Sequence, residues 1–465
     1  MQVYTSVLDM VGRTPMLEVT QFDTGVCRLF LKLELMNPGG SIKDRIGVSM
    51  IGEAEARGDI KPGDTIVEAT AGNTGLGLAL AAARKGYHLV LVLPDKMSQE
   101  KIFNLRAMGA EVVLTRSDVG RGHPEYYQDL GRRIAAERGA YFINQFGNPD
   151  NPLAHERTTA PEILEQLDGK VDAIVVGVGS SGTVSGMSKY LAQAAPDVRL
   201  VLADPVGSIL ADHINHGRMG ESSSWLVEGI GEDFIPDIAD FSRVYKAYSV
   251  SDAESFDMAR ALLRKEGLLA GSSSGTLLAA ALAYCQEQTE PQNVVAFACD
   301  TGNKYLSKLY NDFWMEDQGF IARPRFGDLR DMIGRLHGER ATITVGPNDV
   351  LTTAHNRLRN AGVSQLPVMD EGVLVGVLTE DDIIRFAFGK PALLHALVSE
   401  AMQENFIQLQ PDATVNNLVA LLQVQPFAAI SSNGEFYGLI TRSDVLNYLR
   451  KQMGMLDGLA EESDD

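Results

Sequence analysis

The chain has 465 residues, 45% of them apolar, and a formal net charge of -20. That length fills about three domain-sized units, and the acidic balance removes the basic footprint that nucleic-acid or anionic-membrane binding needs, which leaves small-molecule chemistry as the expectation. Cys27, Cys285 and Cys299 show no C-x-x-C spacing, and neither a leader-like N-terminus nor a membrane-length apolar run is present, so we expect a soluble cytoplasmic protein in a reducing compartment with no metal site.

In chain order, residues 27–34 (CRLFLKLE) read as a strand leading into the loop Asn37-Pro38-Gly39-Gly40-Ser41-Ile42-Lys43-Asp44-Arg45. Pro38 and the glycines make a turn, Ser41 caps a helix beginning near Ile42, and IGVSMIGEAEARG keeps helical spacing. Read alone, Lys43 is an ordinary first-turn lysine. TIVEAT then leads through Thr70-Ala71-Gly72-Asn73-Thr74-Gly75 into the helix LGLALAAARKG; HLVLVLP precedes MSQEKIFNLRAMG, and EVVLT follows. The segment VDAIVVGVGSSGTVSGMSKYLAQAAPDVRLVLADP repeats the same grammar, and residues 256–310 close the region. Aliphatic strands alternating with helices predict a doubly wound, parallel α/β architecture over residues 1–315.

After residue 315 the stretch 316–340 is polar and broken by Gly and Pro, and reads as a linker. Beyond it lies an internal repeat: Gly376, Thr379 and Asp382 recur 62 residues on as Gly438, Thr441 and Asp444. Two copies of one supersecondary unit are expected at 341–395 and 396–452. Each runs from a helical stretch to a hairpin, tipped by Glu371-Gly372 or Asn433-Gly434, and then to the helix bearing the Asp. The acidic tail 453–465 is expected to be disordered.

Three small-residue loops, read as strand-to-helix junctions, carry the chemistry, since open parallel sheets gather ligands there. Amides of the Thr70–Gly75 loop suit a carboxylate or phosphate at a helix N-terminus. The loop Gly177-Val178-Gly179-Ser180-Ser181-Gly182-Thr183 satisfies G-x-G-x-x-G, with Asp204 ending the next strand 22 residues on. That spacing admits an NAD-dependent oxidoreductase. Gly271-Ser272-Ser273-Ser274-Gly275 opens a third helix, whose continuation TLLAAALAYC reads as buried. His213 and His216, lacking a third ligand, read as loop residues.

Together with the lysine loop, these segments resemble the β-family (fold-type II) of pyridoxal-phosphate enzymes, the group containing cysteine synthases and cystathionine β-synthases. GRTPMLEV (12–19), NPGGSIKDR, TAGNTG, NQFGNPDNPLAHERTTAPEI (144–163), GVGSSGT, EGIGEDFIP (228–236) and GLLAGSSSG (267–275) occur in the family's order. The resemblance implies a two-subdomain catalytic core in which Lys43 forms an imine with pyridoxal 5'-phosphate. It implies that Gly179, Ser180, Ser181, Gly182 and Thr183 hold the phosphate, that Asn73 bonds the 3'-oxygen, and that Ser273 faces the pyridine nitrogen. A neutral hydroxyl there makes a weaker electron sink than an Asp, which suits β-elimination. It assigns the substrate carboxylate to Thr70, Ala71, Gly72, Thr74 and Gln145, and the entrance for the incoming thiol to the loop around Gly229 and Gly231. Lys43 would then move the α-proton and protonate the departing β-oxygen. Ala71 stands where many relatives have serine, and Phe146 where they have tyrosine, so both touch substrate preference.

The C-terminal repeat resembles a pair of CBS motifs (a Bateman module), whose Thr and Asp, here Thr379, Asp382, Thr441 and Asp444, would contact an adenosyl ligand: S-adenosylmethionine, AMP or ATP. A Thr before each helix is equally a cap. With the matched motifs opening at Gly12, no haem-binding extension is expected. The expected activity joins L-serine and L-homocysteine into cystathionine, with hydrogen sulfide release from cysteine as a side reaction and O-acetylserine plus sulfide giving cysteine as the alternative. The resemblance also implies a homodimer or larger homo-oligomer.

Overall fold

Strands apolar on both faces, such as His88–Pro94 and Ala173–Gly177, are stable only in a parallel sheet covered by helices on each side. The computed structural model, which describes residues 3–450 except 71, 96, 98, 121, 339 and 340, places them so. Ala71 and the tail from 453 lie outside the described residues. The chain divides into two compact units, one ending at Met315 and the other beginning at Glu316.

The first unit is α/β with two sheets. One has six strands in the order β1 (Met16–Glu18), β2 (Arg28–Lys32), β10 (Asn293–Phe297), β7 (Ala173–Gly177), β8 (Arg199–Pro205) and β9 (Val244–Val250), parallel except for β1. The other is wholly parallel, in the order β5 (Glu111–Thr115), β4 (His88–Pro94), β3 (Thr65–Ala69) and β6 (Tyr141–Phe142). Helices Lys43–Arg57, Asn73–Lys85 and Gly182–Ala194 each leave the carboxyl side of a sheet. The Ser272–Gln286 helix differs from expectation, because a helix (Asp252–Glu266) and not a strand precedes its loop. It reaches the same edge because Gly271 N donates to Asp300 O, just beyond β10.

Two features fix the Lys43 helix. Its glycine face packs directly on that of the Asn73 helix: a Cβ on Gly77 would collide with the Lys43 carbonyl oxygen and stand 2.8 Å from its carbon, and one on Gly47 would stand 2.8 Å from Leu78 N. Buried Arg45 donates to both oxygens of Glu34 (2.7 and 2.8 Å) and of Glu162 (2.8 and 2.7 Å), and Lys32 Nζ pairs with Glu162 at 2.9 Å. This pairing explains why the strand expected over 27–34 stops at Lys32: Glu34 begins a 3-10 turn that turns its carboxylate inward.

In the second unit β11 (Gln365–Asp370) and β12 (Val373–Thr379) form one hairpin, and β14 (Phe427–Ser432) and β15 (Glu435–Thr441) another, with β13 (Gln408–Leu409) beside β14. Both residues of each tip have positive φ, 44° and 86° at Glu371-Gly372 and 52° and 82° at Asn433-Gly434, as a two-residue primed turn requires. Each repeat has its own core, one around Leu358, Leu366 and Val368, the other around Leu418, Ile430 and Ile440. The stretch expected as a linker contributes Leu329, Met332, Ile333 and Leu336 to the second core. Its few apolar residues were hidden among charges because a short 3-10 turn, and not a regular helix, presents them.

Candidate active site

The carboxyl ends of the first unit's strands surround a cavity of about 850 Å³. Lys43, Thr70, Gly72, Asn73, Thr74, Gln145, Gly179, Ser180, Thr183, Gly229, Gly231 and Ser273 line it. Ser181 and Gly182 are not part of this lining. Ser181 turns the chain at φ 64°, with Oγ donating to Ser180 O at 2.6 Å, and Gly182 is pressed against the Asn151 side chain.

Lys43 is the first residue of its helix, and its backbone N donates to Ser41 Oγ at 3.3 Å. Burial lowers its ammonium below the ordinary lysine range, an effect that nearby Asp300 only partly offsets. The neutral amine, which is the nucleophilic form, is thereby favoured. Burial and then Asp300 push the Cys299 thiol up to about 12, so this neighbour stays uncharged. Burial, followed by Asp233, also raises Glu232 well above the usual carboxylate range.

The Gly179–Thr183 loop opens the Gly182–Ala194 helix, whose free amides suit an anion. A Cβ on Gly179 would stand 2.7 Å from Gly229 O, so only glycine lets these two loops touch. The loop hydroxyls have partners that sequence reasoning missed. Asn151 Nδ2 donates to Ser180 Oγ at 3.0 Å, and His155 Nε2 lies 3.3 Å from Thr183 Oγ1. His155 Nδ1 meets Thr159 Oγ1 at 2.9 Å, and burial, with Lys43 and Arg45, holds the ring well below its usual pKa and therefore neutral. Residues His155–Thr159 form a π turn, a distortion frequent at functional sites.

In the second loop Thr74 Oγ1 donates to Gln145 Oε1 at 2.7 Å, and Gly72 adopts φ 150°. Asn73 is gripped from both ends: its Nδ2 donates to Asp300 Oδ2 at 2.7 Å, and Lys304 Nζ donates to its Oδ1 at 2.9 Å. Tyr305 donates to the same Asp300 oxygen at 2.7 Å. Lys304 also reaches Gly39 O (3.1 Å) and Gly40 O (3.2 Å), tying this loop to the turn before Lys43. Nothing in the spacing of Asp300 and Lys304 marked them beforehand.

Other expectations change. Asp204, the acid that made an NAD site plausible, is buried at the end of β8, where its Oδ2 accepts from Ala211 N at 2.8 Å; burial lifts it to about 6. It caps a helix, Leu210–His216, in which His213 and His216 lie, so they are not loop residues. The polar run hid a helix held by a distant cap. Among the described residues no group of three or more His, Cys, Asp or Glu could hold a metal ion. Thr379 and Asp382 form a reciprocal capping box, with Asp382 Oδ2 accepting from Thr379 N at 2.8 Å, and Thr441 N donates likewise to Asp444 Oδ2 at 2.7 Å.

The family model for pyridoxal-phosphate dependent enzymes matches residues 7–300, and the CBS domain model matches 339–389 and 398–451. A cystathionine beta-synthase of Dictyostelium discoideum is 36% identical over 97% of this chain and 93% of its own length. An O-acetylserine dependent cystathionine beta-synthase of Bacillus subtilis is 40% identical over 66% of this chain and 98% of its own. The crystal structure of a hydrogen sulfide-producing enzyme from Fusobacterium nucleatum superimposes with a TM-score of 0.61 at 37% identity, covering 65% of this chain and all of that one.

Proposed function

We propose, on the premise that this chain belongs to the pyridoxal-phosphate dependent enzyme family, that it performs β-replacement on an amino acid, joining L-serine and L-homocysteine into L-cystathionine. The observation that carries this reading is the likeness to a cystathionine beta-synthase through the catalytic and the CBS regions alike. The residues fit the cofactor: the Gly179–Thr183 amides with the Ser180 and Thr183 hydroxyls would hold its phosphate, Ser273 would face its ring nitrogen, and the lowered pKa of Lys43 suits an amine that must attack an aldehyde. Bound there, pyridoxal phosphate supplies the electron sink that makes a Cα–H acidic and lets a β-substituent leave.

The chain's own groups do the rest. The Asn73 helix N-terminus, Thr70 and Gln145 would hold the substrate carboxylate and so orient its Cα. Lys43 Nζ takes the α-proton and delivers a proton to the departing β-oxygen. Neutral His155 holds Thr183 in place without adding charge. Hydrogen sulfide release from cysteine follows from the same geometry with water or a thiol as the second reactant.

A second reading takes O-acetylserine as first substrate, after the B. subtilis relative. Incubating the protein with each donor and thiol pair and weighing the products separates the two; cysteine formation far faster than cystathionine formation reverses the order. Borohydride must tag Lys43, and Lys43→Ala must abolish turnover. In the second unit the reading extends to an adenosyl ligand near the Thr379 and Thr441 helix ends, and calorimetry with AMP, ATP and S-adenosylmethionine tests it, absence of heat from all three arguing for a structural module.

A further inference from the structure

The cavity contains a group of charges that neither the cofactor nor the first substrate uses. Lys101 and Lys308 both line it, and both pair with one carboxylate, Glu228: Lys308 Nζ to Oε1 at 2.7 Å, Lys101 Nζ to Oε2. The three come from separate parts of the chain, the Gln99–Ala107 helix, the segment before Gly229 and the turn after β10. An ammonium has three donors, and each lysine gives one to Glu228. Among the described residues no other acid pairs with either, so the cluster presents one uncompensated positive charge to the cavity. Lys101 is only 2% exposed, and its ammonium lies 4.9 Å from the Tyr305 ring centre. A buried, half-compensated cation is unfavourable until an anion completes it.

Its location specifies that anion. Lys101 Nζ stands 3.3 Å from where a Cβ on Gly72 would be, directly beside the loop assigned to the first substrate's carboxylate. That carboxylate has the helix amides; the cations remain for a second one. We infer that Lys101 and Lys308, sharing Glu228, form the subsite for the carboxylate of the incoming amino-acid thiol. The inference rests on the β-replacement reading and deepens it: the enzyme selects a thiol that carries a carboxylate over sulfide or a plain thiol.

The test compares two thiols with the same first substrate: L-homocysteine and 3-aminopropane-1-thiol, which is the same molecule without its carboxylate. A charge-assisted contact predicts that the wild type favours homocysteine in kcat/KM by about 10- to 100-fold. Lys308→Gln, and Lys101→Gln if it folds, should reduce that preference to roughly threefold or less through homocysteine KM alone. Glu228→Gln frees both ammoniums and should lower homocysteine KM. Equal loss on both thiols in Lys308→Gln, or a loss in Glu228→Gln like that in Lys308→Gln, would overturn the inference in favour of a structural clasp. A wild type that makes product equally well from both thiols overturns it while leaving β-replacement intact; one that makes no product from any thiol overturns both.

Discussion

Gly77→Ala is the sharpest test of how the fold holds Lys43. The added methyl would stand 2.8 Å from the Lys43 carbonyl carbon and 3.1 Å from Asp44 Cα, about 0.6 Å inside ordinary contact with the former. Both neighbours are backbone, and Arg45 with its two carboxylates holds that turn from the other side. The Lys43 helix start must therefore shift by several tenths of an ångström. Overpacking of this kind costs about 1–3 kcal/mol, and misplacing a reacting group by ~1 Å costs up to about 100-fold in rate. We expect kcat/KM to fall about 10- to 100-fold, with borohydride still tagging Lys43 and the melting temperature lower by a few degrees. Gly52→Ala is the control, because it sits in the Lys43 helix itself with nothing within 4 Å of its Cβ position. It should gain about 0.5–1 kcal/mol from helix propensity. If Gly77→Ala matched Gly52→Ala in rate and melting temperature, the claim that the glycine contact positions Lys43 would be refuted.

Arg45→Met should lower stability to urea by about 3–5 kcal/mol, because buried Glu34 would lose its ion partner and Glu162 would keep Lys32 alone; a loss below about 1 kcal/mol would contradict this. Burial raises Glu68 to about 8, so the folded protein keeps a proton that the unfolded chain releases near pH ~4.3, and the stability this proton confers drains away as pH rises toward 8. The stability of Glu68→Gln relative to wild type should accordingly grow between pH 5 and 9, and a pH-independent difference in urea midpoints would count against it. Thr379→Val and Thr441→Val should each cost about 1 kcal/mol through loss of a cap, read as urea midpoints of the second unit's transition; no shift would show that the boxes do not support their helices.

What the sequence made legible follows the range of the forces involved. The strand-loop-helix grammar and the glycine loops are local, so Lys43, Gly179, Thr183 and Ser273 could be named from spacing and resemblance, and the structure gathers them around one cavity. The hairpin tips were readable for the same reason, since Glu371-Gly372 and Asn433-Gly434 are turn chemistry. Partners fixed by distant contacts were not. Asp300 reaches Asn73 across 227 residues, and Lys101 reaches Glu228 across 127. Asp204 misled because an acid at a strand end looks the same whether it faces a ribose or a helix N-terminus. His155 lies inside the matched stretch 144–163, but its π turn depends on packing against the Gly182 helix, where Gly186 would place a Cβ 2.8 Å from His155 Cβ.

The Arg45 cluster also bears on the order in which the polypeptide acquires its structure. Its members, Thr14, Lys32, Glu34, Arg45 and Glu162, are separated by as many as 148 residues, and the charges of Lys32 and Arg45 are matched only once Glu162 joins them. Until Glu162 has been synthesised and docked, Arg45 has only one of its two acids, and Lys32 lacks its ion partner. Closing so long a loop is entropically slow, so the Lys43 turn should set late, after the helices between have formed. A nascent chain halted before residue 162 would then hold its reactive lysine on an unanchored helix end. The same salt links that stiffen the finished site would act as a checkpoint on its assembly.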